Sequence, residues 1–323
     1  MKKIYPEKLE VGDEIRVVSP SSSIARIGGM KVNFPAKERL EAFGFTVTFG
    51  EYLEEDDLVH SSTIESRVKD LHNAFLDKNV KMVLVVIGGF NCNEILPYLD
   101  FDLIRNNPKI ICGYSDTTAL LNAIFVKTGL VTYYGPSYSS FKMNGLQEYQ
   151  SEMWLRAVQN TSYSLEKSEK WSSDNWFIPL IPREYYATEW KVYQSGKTCG
   201  EIIGGEITTF ALLQGTEYQP TTKNPVLFLE LAEEDTYHDF NRMLSSILQI
   251  YPKPKALMIG RFPKPTGMSE ELLLFILAKY PILKEIPVMY DLDFGHTQPI
   301  FTFEIGAEIE IDTQAGKLKI QEK

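Results

Sequence analysis

Ser115 lies directly between an apolar run, Ile110–Cys112, and a segment with helical spacing that begins at Thr117. A serine on such a strand-to-helix turn holds its hydroxyl free of the sheet, close to helix N-terminal amides that can stabilise an oxyanion. The position also suits a serine that caps the helix, and the strict G-x-S-x-G elbow is absent. Position alone therefore leaves Ser115 as either a nucleophile or a cap.

Two further residues could complete a catalytic group with this serine. Of the four histidines, His296 is the best placed to act as a base, because it lies in the polar turn Asp291–Pro299 after a predicted strand. An isolated loop histidine can equally be structural. Glu230 ends the apolar run Val226–Glu230, where a carboxylate is either solvated at the sheet edge or aimed into a site. The order Ser, Glu, His is compatible with a triad, which only spatial geometry defines.

Gly88 and Gly89 follow the most apolar run in the chain, Val80–Ile87. At the carboxyl end of a strand, two glycines allow a backbone amide to approach a ligand, although a tight turn without a ligand has the same pattern. The sequence contains neither the G-x-G-x-x-G dinucleotide fingerprint nor a Walker P-loop.

The elements that must position these residues alternate in the first part of the chain. The spacing predicts five strands, at Ile15–Val18, Thr46–Phe49, Val80–Ile87, Ile110–Cys112 and Val131–Tyr134. It predicts helices at Ala36–Phe43, Ser62–Leu76 and Thr117–Lys127, the second opened by a capping box from Ser62 to Glu65. This alternation indicates a doubly wound, mostly parallel sheet with ligands at the carboxyl ends of its strands.

The later part of the chain predicts a second α/β unit with mixed or antiparallel strands. Its predicted strands are Gly200–Ile203, Val226–Leu231, Ala256–Ile259, Val288–Asp291, Ile305–Ile311 and Lys317–Ile320. Its predicted helices are Thr208–Leu213, Phe240–Gln249 and Glu270–Ala278. Between the two units the periodic pattern breaks down. We therefore predict an N-terminal domain over residues 1–145, a connecting segment over 146–186 and a C-terminal domain over 187–323.

Composition limits the classes of partner. Of the 323 residues, 44% are hydrophobic and 24% charged, as in a folded soluble protein. The net charge of −10 and the lack of a basic stripe speak against nucleic acid. Three scattered cysteines predict neither a disulfide framework nor a zinc site, and no segment reads as a signal peptide or a membrane span. These features predict a cytoplasmic protein with no membrane partner.

Five short stretches together resemble one family. They are Val18-Ser19-Pro20-Ser21-Ser22, Gly88-Gly89-Phe90-Asn91-Cys92-Asn93, Gly113-Tyr114-Ser115-Asp116-Thr117-Thr118, Phe228-Leu229-Glu230 and Gly295-His296-Thr297-Gln298-Pro299. The chain resembles the LD-carboxypeptidase family of serine peptidases over nearly its whole length, and within it the microcin-immunity branch. The resemblance implies Ser115 as nucleophile, His296 as base and Glu230 as the orienting acid. It further implies an oxyanion hole from the Gly89 and Asp116 amides, no metal or other cofactor, and a homodimer.

The resemblance leaves the substrate open. Glu206 stands where the family usually has asparagine after two glycines, and we predict it, with Asn91 and Trp176, to contact the substrate. An aminoacyl-nucleotide substrate, as in the immunity branch, requires an aromatic side chain on which the base can stack. The candidates are Trp171, Trp176 and Phe177. Alternatively, these three residues only anchor their loop. A murein tetrapeptide that loses its terminal D-alanine is the alternative substrate. A third hypothesis is a cleft that binds a peptide or nucleotide without turnover.

Overall fold

A computed structural model describes residues 2–177 and 182–321 of the chain. In its first part, five strands alternate with helices: β1 (Glu14–Val18), α1 (Gly29–Ala42), β2 (Thr46–Phe49), α2 (Ile64–Leu76), β3 (Val80–Val85), α3 (Phe101–Asn106), β4 (Ile110–Gly113), α4 (Thr117–Thr128), β5 (Thr132–Tyr134) and α5 (Gln147–Gln159). The pairing of β1 to β5 is parallel throughout. Their apolar residues are buried because helices cover the sheet.

Most strands among the remaining elements build a second sheet. They are β6 (Ser162–Leu165), β7 (Lys170–Trp171), β8 (Tyr186–Ala187), β9 (Lys191–Gln194), β10 (Lys197–Glu206), α6 (Ile207–Ala211), β11 (Val226–Glu230), α7 (Tyr237–Ile250), β12 (Ala256–Gly260), α8 (Glu270–Ala278), β13 (Val288–Leu292), β14 (Phe303–Ile305), β15 (Glu308–Asp312) and β16 (Lys317–Gln321). The order in this sheet is β6-β16-β15-β10-β11-β12-β13-β9. Strands β10 to β13 are parallel, and both flanks are antiparallel. The predicted fold class, a mostly parallel sheet followed by a mixed one, is confirmed.

Helix α4 joins the two sheets. It is buried on nearly every side, and its Asn122 amide donates a 2.8 Å hydrogen bond to the Gly204 carbonyl in β10. Strand β14, from the later part of the chain, belongs to the first sheet, because it pairs antiparallel with β5 at the edge of that sheet. The order in the first sheet is β14-β5-β4-β3-β1-β2. The carboxyl ends of β4 and of β10 to β13 therefore meet across α4, and the site lies between them.

Several local predictions are corrected. The segment 146–186, which we expected to have few periodic elements, contains helix α5 and strand β6, and β6 pairs with β16 in the second sheet. Helix α2 is capped by Thr63, whose hydroxyl accepts from the Ser66 amide, and not by Ser62. The predicted strand Ile305–Ile311 is two strands separated at Gly306, which has a φ of 91°. Residues 178–181 of the connecting segment lie outside the described residues. The division into domains at 145 and 186 stays a prediction.

Within the described ranges, no helix is long and apolar enough to cross a membrane.

Candidate active site

Ser115 lies on the tight turn between β4 and α4. Its φ of 62° is in the left-handed region, which non-glycine residues rarely adopt. A hydrogen bond stabilises the turn: the Ser115 amide donates to the Tyr134 hydroxyl, at the end of β5, over 3.3 Å. The strained turn thus presents the Ser115 hydroxyl at the carboxyl edge of the first sheet.

Gly88 leaves room for this hydroxyl. A Cβ atom at Gly88 would lie 2.8 Å from Ser115 Cβ and 2.9 Å from its Oγ, closer than packed atoms approach. The glycine is therefore required by the close contact between the two turns.

We expect Gly88→Ala to lower kcat/KM by about 100-fold, since displacing a reacting group by roughly 1 Å has an effect of that size. Steady-state kinetics on the purified variant measures this loss. The matched control is Gly196→Ala, whose added methyl group would have Pro287 as its nearest neighbour, at 3.0 Å, outside the cleft. Equal rates for the two variants would show that the Gly88 contact does not position Ser115.

His296 connects the two sheets through two hydrogen bonds. Its Nε2 lies 2.9 Å from Ser115 Oγ, and its Nδ1 lies 2.8 Å from Glu230 Oε2. The histidine follows β13, and Glu230 is the last residue of β11. The three residues that the sequence singled out therefore form one continuous chain of hydrogen bonds.

The environment of Glu230 fixes its carboxylate. The side chain is fully buried, and Oε1 accepts a 2.5 Å hydrogen bond from the Tyr134 hydroxyl. Gly295, with a φ of 99°, packs so closely that a Cβ there would lie 2.5 Å from Glu230 Oε2. Tyr134 thus links Glu230 to the Ser115 turn, a role that nothing in its sequence position indicated.

The buried Glu230 carboxylate also controls the proton affinity of His296. Burial by itself lowers the pKa of the imidazole, but the charge of Glu230 and its hydrogen bond outweigh burial and raise the pKa of His296 above its ordinary value of 6.5. The histidine is therefore a strong proton acceptor for the hydroxyl beside it.

Asp116 holds the loop that faces Ser115. Its buried carboxylate accepts hydrogen bonds from the Ser21 hydroxyl at 2.5 Å and from the Asn91 and Cys92 amides at 2.8 Å. Burial raises the pKa of Asp116, and these three bonds act in the opposite direction. The amides of Asp116 and Gly89 donate to no acceptor among the described residues, which leaves both N–H groups available for a ligand.

The loop that carries His296 has its own anchor. Asp293 is fully buried and accepts 2.9 Å hydrogen bonds from Arg261 Nη1 and from the Trp190 indole. The backbone of Gln298 pairs in both directions with Ser172, which ties the loop to residues 172–177. Sequence reasoning missed Asp293 and Arg261, although Asp293 lies inside the turn Asp291–Pro299.

A cleft of about 570 Å³ opens over Ser115 and His296. Trp176 and Phe177 lie on its wall, with their rings edge to face at 5.9 Å. Trp171, also predicted as an aromatic platform, does not reach the cleft, because it packs against Tyr186 and the Arg261 guanidinium. Only two of the three aromatic candidates can therefore meet a ligand there.

Asn91 does not line the cleft either. It is buried in the loop, where its backbone amide donates to Asp116, its carbonyl accepts from Arg67, and its side chain donates to Glu94. These three bonds tie Asn91 into the loop, and its contact with the substrate stays a prediction.

Glu206, in contrast, does line the cleft. It ends β10 directly beside Glu230 at the end of β11. Its carboxylate caps α6 by accepting from the Thr208 and Thr209 amides. Burial, and then the charge of Glu230, raise the pKa of Glu206 to about 7.

Comparison with known proteins decides the family. The model of the LD-carboxypeptidase N-terminal domain matches residues 15–135, and that of the C-terminal domain matches residues 199–311. The chain belongs to the LD-carboxypeptidase family. Its activity class is accordingly that of a serine-type carboxypeptidase, a hydrolase of amide bonds.

Individual proteins from several bacteria match the chain over most of its length. YocD of Bacillus subtilis (strain 168) is 41% identical and covers 98% of both chains. The microcin C7 self-immunity protein MccF of Escherichia coli is 32% identical over 98% of this chain and 95% of its own. The murein tetrapeptide carboxypeptidase of Pseudomonas aeruginosa is 25% identical over 88% of this chain and 89% of its own.

Solved structures of this family superpose closely. The MccF-like protein from Bacillus anthracis str. Ames is 42% identical, covers 99% of this chain and 100% of its own, and has a TM-score of 0.95. MccF in complex with aspartyl sulfamoyl adenosine is 31% identical, covers 99% of both chains, and has a TM-score of 0.90.

Proposed function

We propose that the protein hydrolyses the amide-type bond of aminoacyl-nucleotide conjugates with Ser115 as nucleophile, His296 as general base and Glu230 as the orienting acid. The chain of hydrogen bonds from Ser115 through His296 to Glu230, open to the cleft, carries this proposal. Many serine hydrolases use this arrangement of nucleophile, base and acid.

The geometry supports the following sequence of steps. His296 Nε2 takes the hydroxyl proton as Ser115 Oγ attacks the carbonyl carbon, and Glu230 stabilises the imidazolium that forms. The Gly89 and Asp116 amides donate to the oxyanion. The imidazolium returns its proton to the departing nitrogen, which breaks the bond and leaves an acyl-enzyme. Water then attacks the ester with His296 as base, releases the amino acid and restores Ser115.

The aromatic wall favours a nucleotide as the departing group. Trp176 and Phe177 line the cleft that holds the nucleophile, and each presents the flat apolar face of one ring, on which any nucleobase can stack. That MccF has been solved with aspartyl sulfamoyl adenosine supports the same substrate class for this relative. The homodimer implied by the family resemblance and the cytoplasmic location expected from composition stay predictions.

A murein tetrapeptide is the second candidate substrate. The cationic side chains of Arg26 and Lys142 line the cleft and could pair with the terminal carboxylate of a peptide. The match to a murein tetrapeptide carboxypeptidase points in the same direction.

One assay separates the two candidates. Purified protein is incubated with aminoacyl sulfamoyl adenosine and with a murein tetrapeptide, and the products are identified by mass spectrometry. We expect release of sulfamoyl adenosine at the higher kcat/KM, and loss of that product in the Ser115→Ala variant. Release of D-alanine alone would make murein peptides the substrate, and no Ser115-dependent product from either would favour a cleft that only binds.

We expect Trp176→Ala to raise KM for aminoacyl sulfamoyl adenosine by roughly tenfold or more, with a much smaller change in kcat, because base stacking contributes about 1–3 kcal/mol. Trp171→Ala is the matched control, since Trp171 lies outside the cleft. Equal KM values for the two variants would remove Trp176 as the platform for the base.

A further inference from the structure

Apart from Asp174, which forms a salt bridge with Arg183, the acidic and cationic side chains that line the cleft fall into two groups. One group, here called the acidic wall, consists of Glu206, Glu233, Glu234 and Asp235. Glu206 is the last residue of β10, and the other three follow the end of β11 in the second sheet. The other group is cationic, Arg26 and Lys142, and it comes from the first part of the chain. A substrate that fills the cleft therefore meets opposite charges at different places.

Glu206 is the fixed member of the acidic wall. One carboxylate oxygen accepts from the Thr208 amide at 3.0 Å, and the other accepts from the Thr209 amide at 2.7 Å and the Thr208 hydroxyl at 2.8 Å. Only 2% of its surface is exposed, and Glu230 lies beside it in the neighbouring strand. The Glu206 carboxylate therefore cannot rotate away from an incoming group.

The acidic wall has no cationic partner in the part of the chain that the structure describes. Among the described residues, no Lys, Arg or His forms a salt bridge with any of its four carboxylates. The Oε2 atom of Glu233 is enclosed and accepts no hydrogen bond there. Nor does any group of His, Cys, Asp or Glu side chains in this part of the chain have an arrangement that could hold a metal ion. The wall is thus suited to an organic cation.

We propose that the acidic wall, with Glu206 at its base, makes the protein select conjugates whose aminoacyl side chain is basic or neutral over those whose side chain is acidic. This inference rests on the proposed function. If Trp176 and Phe177 hold the nucleobase, the acidic wall is left for the aminoacyl end of the same substrate.

The physical reason is the charge already present around Glu206. Burial and Glu230 raise the pKa of Glu206, and burial with the neighbouring Asp239 and Glu234 raises the pKa of Asp235 to about 6. Both pKa shifts indicate that the ionised form of a carboxyl group is disfavoured at the acidic wall. A substrate carboxylate would add to that cost, whereas an ammonium group would offset it.

The test compares three conjugates of similar length: lysyl, glutaminyl and glutamyl sulfamoyl adenosine. For wild-type protein we expect kcat/KM for the glutamyl conjugate to be roughly tenfold or more below that for the isosteric glutaminyl conjugate, with the lysyl conjugate at least as good as the glutaminyl. Glu206→Gln is expected to reduce the ratio of kcat/KM for the glutaminyl conjugate to kcat/KM for the glutamyl conjugate several-fold.

Two further variants separate charge from folding. Glu206→Gln also weakens the cap of α6, so Asp100→Asn is the matched control, because Asp100 caps α3 through the Leu103 amide outside the cleft. Glu234→Gln removes a charge from an exposed position of the same wall and is expected to reduce this ratio as well. Asp100→Asn is expected to leave the ratio unchanged.

The outcomes distinguish this inference from the proposed function. Ser115-dependent turnover of all three conjugates at equal kcat/KM would overturn the inference and leave the proposed function intact. A ratio that stays at its wild-type value in both Glu206→Gln and Glu234→Gln would equally overturn it. Absence of turnover with every conjugate would overturn the proposed function, and the inference with it.

Discussion

Ser115→Ala is expected to lower kcat by about 10⁴-fold or more, because removal of the nucleophile leaves only the oxyanion donors and the binding of the substrate. Among the residues that the structure describes, the hydroxyl forms its only hydrogen bond with His296 Nε2. The free energy of unfolding should therefore change by no more than about 1 kcal/mol. Product formation is followed by mass spectrometry, and unfolding by thermal denaturation.

The matched control for this variant is Ser195→Ala, since Ser195 is exposed in the turn between β9 and β10. It is expected to keep wild-type kcat. Turnover by Ser115→Ala within about tenfold of wild type would exclude Ser115 as the nucleophile.

Glu230→Gln is expected to lower kcat by about 10⁴-fold, since a neutral amide cannot stabilise the imidazolium and can favour the wrong tautomer of His296. Both oxygens of Glu230 are used in the structure, one by Tyr134 and one by His296. The variant keeps the shape of the side chain, so a loss of rate reports on the charge and hydrogen bonding of the carboxylate and not on packing. A rate near that of wild type would remove Glu230 from the catalytic group.

The same variant has a defined effect on the pH profile. Glu230 raises the pKa of His296, so protonation of His296 should make wild-type kcat/KM fall as the pH decreases. The midpoint of this acid limb of the pH profile should lie above pH 6.5, the ordinary pKa of histidine. In Glu230→Gln the carboxylate is gone and burial remains, which lowers the pKa of the imidazole. The acid limb should therefore move to lower pH. If the acid limb has the same midpoint in Glu230→Gln as in wild type, the group that titrates in this limb is not His296.

The three proposed catalytic residues could be predicted from the sequence because each follows a strand with a clear apolar pattern. Ser115 comes after β4, Glu230 ends β11, and His296 follows β13. Parallel strands bring their carboxyl ends to one edge, so residues at those ends converge. Their mutual distances could not be predicted, since they depend on how α4 packs between two sheets.

The segment around residue 150 shows why the connecting region was misjudged. Helix α5 buries Gln147, Gln150 and Ser151 along with its apolar residues. Buried polar residues blur the apolar periodicity on which a prediction from spacing rests. Strand β6 is short, and only its pairing with β16 makes it part of a sheet.

The substrate residues were the least predictable part of the site. Asn91 and Trp171 have side chains suited to binding, yet hydrogen bonds and packing within their own loops hold them away from the cleft. Trp176, five residues after Trp171, does reach the cleft. Residue type gives the chemistry a side chain can do, whereas its direction follows from loop geometry.

The central claim is that His296 and Glu230 activate Ser115, and labelling with a fluorophosphonate tests it most directly. Protein is treated with the reagent, digested, and the modified residue is located by mass spectrometry. We predict a single rapid adduct on Ser115, absent from Ser115→Ala and formed much more slowly in Glu230→Gln. An adduct on another serine, or labelling of Ser115→Ala at the wild-type rate, would contradict the account.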